Sequence, residues 1–259
     1  VPHRLFGVIG ASQPCSAGHW RSRALDEIAA ARNQGRLPVV AGGTGLYLRS
    51  LMTGLARLPP VPDGIRAAVR DQLAVGGAAA LHDELARRDP AMAEKLSPGD
   101  GQRITRALEV LEATGRSIGD WHGGADEKGT KDENLRFFTI LMMPPREALY
   151  AACDSRFEDM LAAGAAGEAG RLAEAGLDPN VPAMKALGLR ELLLFNAGEI
   201  SLEEACLQGQ QATRRYAKRQ MTWFRHQMTP DFLAEEKYSE SLASRIFSYI
   251  SNNVLTSRG

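Results

Sequence analysis

The stretch that most limits what this chain can become is Arg36 to Leu51, GRLPVVAGGTGLYLRSL when taken from Gly35. Leu37 to Ala41 is a short apolar run rich in β-branched residues, which predicts a strand buried on both faces. Gly42-Gly43-Thr44-Gly45 breaks the run, and Leu46, Tyr47, Leu48 and Leu51 resume at helical spacing. A strand turning through glycines into a helix is the βα unit of an open α/β sheet, and ligands settle at the carboxyl ends of such strands. The glycines let a ligand approach the backbone, and the Thr44 hydroxyl both donates and accepts hydrogen bonds. Taken alone, GGTG is read first as a tight strand-to-helix connection.

The rest of the opening repeats this grammar. Leu5 to Ile9 is a strand candidate. Ser16 is placed to cap a helix over 17–33, in which Trp20, Ala24, Leu25, Ile28 and Ala29 share a face. The order β-α-β-α predicts a parallel sheet with crossover helices. Leu58-Pro59-Pro60-Val61-Pro62 then forms a stiff, extended break. From Ile65 to about Trp121 every segment has short-helix character, as expected of a helical module inserted into an α/β domain. His122 to Asn134, HGGADEKGTKDEN, has the composition of a mobile linker. Arg136 to Met143 returns to an apolar strand. Helices follow over 146–163, 165–175 and 190–197, then a long one from about Leu202 to Met228, with a last amphipathic stretch over 239–250. The expected division is therefore residues 1–58 with 135–259 as the α/β core and 59–134 as the helical insertion.

Charge excludes less than it suggests. Acidic and basic residues balance at 31 each in 259 residues, so any nucleic-acid partner must be held by local patches. The strongest patch is ATRRYAKRQMTWFR, Ala212 to Arg225. Arg214 and Lys218 lie four apart, as do Arg215 and Arg219, and like charges so stacked repel unless an anion sits over them. Guanidinium forks match phosphate oxygens, which points to a phosphate site, although a solvated basic helix would have the same sequence. Gln102-Arg103-Ile104-Thr105-Arg106 opens a helix after SPGDG, with Ser97 or Asp100 as its cap, and free amides beside two arginines favour an anion there. Lys185-Ala186-Leu187-Gly188-Leu189-Arg190 sets a glycine between two basic residues, and Arg66 follows the proline break.

Other chemistries lack their motifs. The three cysteines have no metal-ligand spacing and fit a reducing cytoplasm. The five histidines form no HxxxH pattern. No G-x-S-x-G elbow, paired-carboxylate signature or CxxC is present, and no G-x-x-x-x-G-K-[ST] loop. No apolar run approaches a membrane span.

Taken in order, VPHRLFGV, SAGHWRSRALDEI, GRLPVVAGGTGLYLRSLMTGL, DGQRITRALEVLEATGRSI, MKALGLRE and QATRRYAKRQMTWFR resemble the tRNA dimethylallyltransferases, also called tRNA isopentenyltransferases. The resemblance implies a P-loop-kinase-like α/β fold, here without its first strand or strands, and a helical insertion that clasps the anticodon stem-loop. It implies transfer of a dimethylallyl group from dimethylallyl diphosphate to the N6 amine of the adenosine 3′-adjacent to the anticodon. Mg²⁺ is the implied cofactor, and a cytoplasmic monomer the implied setting. By the same resemblance Thr44 and Arg219 serve catalysis, and Arg214, Lys218 and Arg219 neutralise the diphosphate. Thr44, Arg66, Gln102, Arg103, Ile104, Thr105, Arg106, Lys185, Ala186, Leu187, Gly188, Leu189 and Arg190 face the tRNA. The chain departs from the family pattern in having no GPT-x-SGK-[ST] loop and no following general-base aspartate before VPHR. The expectation is that this polypeptide alone does not catalyse transfer. Smaller departures are Gly101 where a proline is common, and Lys185 and Leu189 where an arginine and an aromatic are common. A non-catalytic RNA-binding protein and a P-loop small-molecule kinase relative are the alternatives.

Overall fold

A computed structural model describes residues 1–56, 58–122, 134–179 and 181–255. Eleven α-helices and two short strands are formed among the described residues. By its contacts the chain divides into two compact units, Val1–Arg49 with Asn134–Gly259, and Ser50–Glu133.

In the first unit, α1 (Ala17–Asn33) starts where Ser16 accepts from the His19 amide and buries Ala24 and Ile28. It stops at Gly35, whose φ of 67° lets the chain turn back. The sheet is parallel and small: β1 (Ile140–Met142) pairs with β2 (Phe232–Ala234), Leu141 opposite Leu233. Asp231 extends this pairing, because one of its carboxylate oxygens accepts from both the amide (2.7 Å) and the hydroxyl (3.0 Å) of Thr139. Between the strands run α7 (Arg146–Ala162), α8 (Ala165–Glu174), α9 (Leu189–Asn196) and α10 (Leu202–Gln227). A core of Ala169, Leu189, Leu192 and Ala205 joins α8, α9 and α10. The last helix, α11 (Glu240–Ile250), buries Leu242 behind its Ser239 cap.

The α/β class holds, with a smaller sheet than the sequence suggests. Leu5 to Ile9 is not a strand, because Leu5 (φ 65°) and Gly7 (φ 61°) turn the backbone left-handed. Leu37 to Ala41 is not one either. Pro38 has no N–H to donate to a ladder, and Leu37, Val39 and Val40 are exposed rather than covered. Arg136 to Met143 is strand only over its last part.

The second unit is wholly helical among its described residues. Here α2 (Gly45–Thr53) ends, and α3 (Asp63–Arg88), α4 (Pro90–Ala93), α5 (Gly101–Thr114) and α6 (Ile118–His122) follow. α3 breaks at Gly77 (φ 72°, ψ 177°), so it is two shorter helices in one element, as the separate IRAAVRDQLA and AALHDELARRD segments suggest. Val69, Leu81 and Leu85 of α3 pack with Ile104, Ala107 and Leu108 of α5. The linker expected over 122–134 falls largely outside the described residues. No described helix is long and apolar enough to cross a membrane.

Candidate functional site

The GGTG turn is fixed in place by α10. The Gln220 side-chain amide donates to the Gly43 carbonyl at 2.9 Å. A methyl group at Gly43 would meet that same amide at 2.1 Å, and one at Gly45 would lie 2.3 Å from the Trp223 ring. Gly45 is therefore required by close approach to the indole, Gly43 meets only the end of the flexible Gln220 side chain, and among the described residues Gly42 has nothing within 4 Å. Thr44 lies exposed between Gly43 and Gly45, and its carbonyl accepts from the Tyr47 and Leu48 amides to start α2. Tyr47 anchors the other side of the turn. Its ring stacks on Trp20 at 5.2 Å, and its hydroxyl donates to the Cys15 carbonyl at 3.1 Å. Burial first, then the neighbouring Cys15, pushes the Tyr47 phenol up and keeps it protonated.

α10 begins with a capping box between Ser201 and Glu204 and runs to Gln227. Its basic residues do not act alike. One terminal nitrogen of Arg214 sits 2.6 and 2.7 Å from the two Asp154 oxygens. Lys218 and Arg215 are exposed, and the exposed Arg219 guanidinium lies 5.6 Å from the Tyr216 ring centre. Gln220 and Trp223 are the residues that touch the glycine turn. The α10 cations Lys218 and Arg219 thus share a helix with the two side chains that hold Thr44 in position.

The 185–190 segment divides along its length. Lys185, Ala186, Leu187 and Arg190 are exposed. Gly188 takes φ 84°, and a methyl group there would lie 2.4 Å from the Phe157 ring. Leu189 is buried in the α8–α9–α10 core, so its side chain supports the loop and does not face a ligand. The same correction applies to Ile104, which is 0% exposed inside the helical unit. An apolar residue at the second turn of an amphipathic helix belongs to the buried face, and α5 has such a face.

The rest of the α5 start is polar and accessible. Asp100, of the two caps considered, accepts from the Arg103 amide at 3.2 Å. Gln102 and Arg103 are exposed, and Arg106 pairs with the buried Glu109 at 3.2 Å. Thr105 is buried, and its hydroxyl has no hydrogen-bond partner among the described residues. Arg66, in α3, lies 3.7 Å from Asp63.

Two contacts were not visible in the local sequence. Asp154 lies sixty residues before Arg214, and no spacing rule connects them. Phe157 fits against Gly209 of α10 as well as Gly188, with 2.2 Å to a methyl placed at Gly209. A glycine inside a long helix costs about 1 kcal/mol against alanine, and that cost was the available signal. Among the described residues no three His, Cys, Asp or Glu side chains converge to hold an ion.

The family model described as IPP transferase matches residues 1–227. The tRNA dimethylallyltransferase of Rhodospirillum centenum is 54% identical over 228 residues, 88% of this chain and 72% of that protein. The crystal structure of the tRNA isopentenylpyrophosphate transferase of Staphylococcus epidermidis is 29% identical and superimposes with a TM-score of 0.63, covering 98% of this chain and 82% of that one. A eukaryotic dimethylallyltransferase whose structure captures it acting on tRNA is 23% identical. It shares the fold at a TM-score of 0.75, covering all of this chain and 67% of its own.

Proposed function

We propose that this chain, which belongs to the IPP transferase family, prenylates tRNA, moving a dimethylallyl group from dimethylallyl diphosphate to the N6 amine of the adenosine 3′-adjacent to the anticodon. The observation that carries the reading is the joining of the GGTG turn to the basic helix α10 by Gln220 and Trp223. Such a joint sets an acceptor-binding hydroxyl and leaving-group cations on one rigid support.

In the reaction the amine nitrogen bonds to the first carbon of the dimethylallyl group, the carbon–oxygen bond to diphosphate breaks, and the amine gives up a proton. Charge develops on the departing diphosphate, so cations fixed beforehand beside it lower the barrier. Lys218 and Arg219 take that role. Thr44 contacts the tRNA near the target base, and its position depends on the two glycines beside it. Lys185, Ala186, Leu187 and Arg190, together with Arg66, Gln102, Arg103 and Arg106, contact the tRNA. Gly188, Leu189, Ile104 and Thr105 support those contacts from the interior.

The test is transfer of isotope-labelled dimethylallyl to an anticodon stem-loop RNA. It is run with this chain alone and with an amino-terminal segment carrying a GPT-x-SGK-[ST] loop joined before Val1. Label on the adenosine in either form supports the reading. Absence of label from both, with RNA still bound, supports a non-catalytic RNA-binding protein. In the active form, Arg219→Ala should lower turnover about a hundredfold and leave RNA affinity within about twofold. Equal losses in both would remove Arg219 from the leaving-group role.

A further inference from the structure

We propose that Arg214 is a positioning residue whose partner is Asp154, and that it sets the rotation of α10 rather than binding the diphosphate. The inference rests on the reading of α10 as the diphosphate helix and changes which of its cations touch the ligand.

Helical geometry supplies the first argument. At 3.6 residues per turn, Arg214 and Arg219 project about 140° apart around the axis, on different sides of the helix. The second argument is the ion pair. Distances of 2.6 and 2.7 Å are those of strong charge-assisted hydrogen bonds, and each side chain is 30% exposed, so water screens them only in part. An anion claiming Arg214 would have to displace a carboxylate already in place.

The third argument is that α7 grips α10 at adjacent points. The Gln210 amide donates to the Glu158 carboxylate at 2.9 Å and lies 3.4 Å from the Asp154 carbonyl oxygen. The Phe157 ring lies against Gly209. Asp154, Phe157 and Glu158 therefore hold Gly209, Gln210 and Arg214 along one face. Further along the same helix, Gln220 and Trp223 hold the glycine turn. Fixing one face against α7 determines where the other faces point, so the directions in which Lys218 and Arg219 project are set without a search over rotations.

Two measurements on the purified chain test this. The first is a double-mutant cycle of Asp154→Asn and Arg214→Gln in urea unfolding. The pair should be coupled, the double variant losing about fivefold less of the folded-to-unfolded ratio than the two single losses combined. Additive losses would overturn the clamp. The second is calorimetric titration with inorganic diphosphate. Arg214→Gln should weaken binding, and the exchange of charges, Asp154→Arg with Arg214→Asp, should bring it back to within about twofold of the original. Arg219→Gln should not be rescued by the same exchange. A folded exchange variant that binds diphosphate no better than Arg214→Gln would overturn the proposal, because a direct ligand cannot be replaced by an aspartate. If the unchanged chain binds no diphosphate, the reading of α10 falls and this proposal with it. The unfolding cycle separates that outcome from failure of the ion pair itself.

Discussion

Replacing Gly45 by alanine tests the joint between the glycine turn and α10. The added methyl would lie 2.3, 2.5 and 2.5 Å from three atoms of the Trp223 ring. Carbon atoms sit comfortably at about 3.5 to 4.0 Å, so the overlap is roughly an ångström. The indole cannot simply rotate away, since it is half-buried and meets the Phe224 ring edge-on at 5.2 Å. Overpacking of this kind costs about 1 to 3 kcal/mol. Against it stands the gain from replacing glycine in a helix, at most about 1 kcal/mol. The net expectation is a destabilisation of about 1 to 2 kcal/mol, from the difference between overpacking and propensity. Gly42→Ala is the internal control, because nothing lies within 4 Å of its added methyl, and it should stay within about 0.5 kcal/mol. Urea unfolding followed by tryptophan fluorescence in a Trp121→Phe background reports on Trp20 and Trp223 of the first unit. A shift in midpoint at constant slope gives the stability change. If Gly45→Ala were as stable as Gly42→Ala, the turn would not rest on α10, and Thr44 would lose the support assigned to it.

Two other positions give sharp expectations. Gly188→Ala adds a methyl 2.4 Å from Phe157 at a residue with φ 84°, so it should cost about 2 kcal/mol or more, from strain and overlap together. Gly164→Ala, at φ 98° with nothing within 4 Å, should cost only the strain; equal losses would show that Phe157 is not wedged against the loop. Cys153 and Cys206 have thiols pushed up, burial being the largest cause in each. Both should be alkylated more slowly than a free thiol at mildly alkaline pH, and at the free-thiol rate in urea. A raised folded-state value means the protonated thiols favour the native state. That contribution is whole at neutral pH and is lost as the pH climbs through the alkaline range of thiols, so urea midpoints should fall there.

How much of this was legible varies with the range of the interaction. Helix starts were plain, because a cap is a local event. Ser16, Asp100 and Ser239 each accept from an amide three residues on. The sheet was the opposite. β2 covers only Phe232–Ala234, too short for any alternation, and exists because β1 lies beside it. Leu37 to Ala41 has the composition of a strand but no ladder, and Pro38 within it was the warning. At the site, family likeness supplied the candidate residues but not their division into surface and interior. Ile104 and Leu189 sit in motifs that suggest contact with RNA, while their side chains fill cores. The spacing of Arg214 with Lys218 and of Arg215 with Arg219 showed repelling charges, and the carboxylate that relieves one of them lies on another helix.

The most direct test of the account is the affinity of this chain for an anticodon stem-loop RNA across a salt series. The account predicts binding that weakens steeply with salt, because phosphate contacts release counterions. Arg103→Ala with Arg106→Ala should weaken it further and reduce the slope by about two. An affinity that is flat in salt, and the same in the double variant, would contradict the tRNA-binding reading on which the proposed function depends.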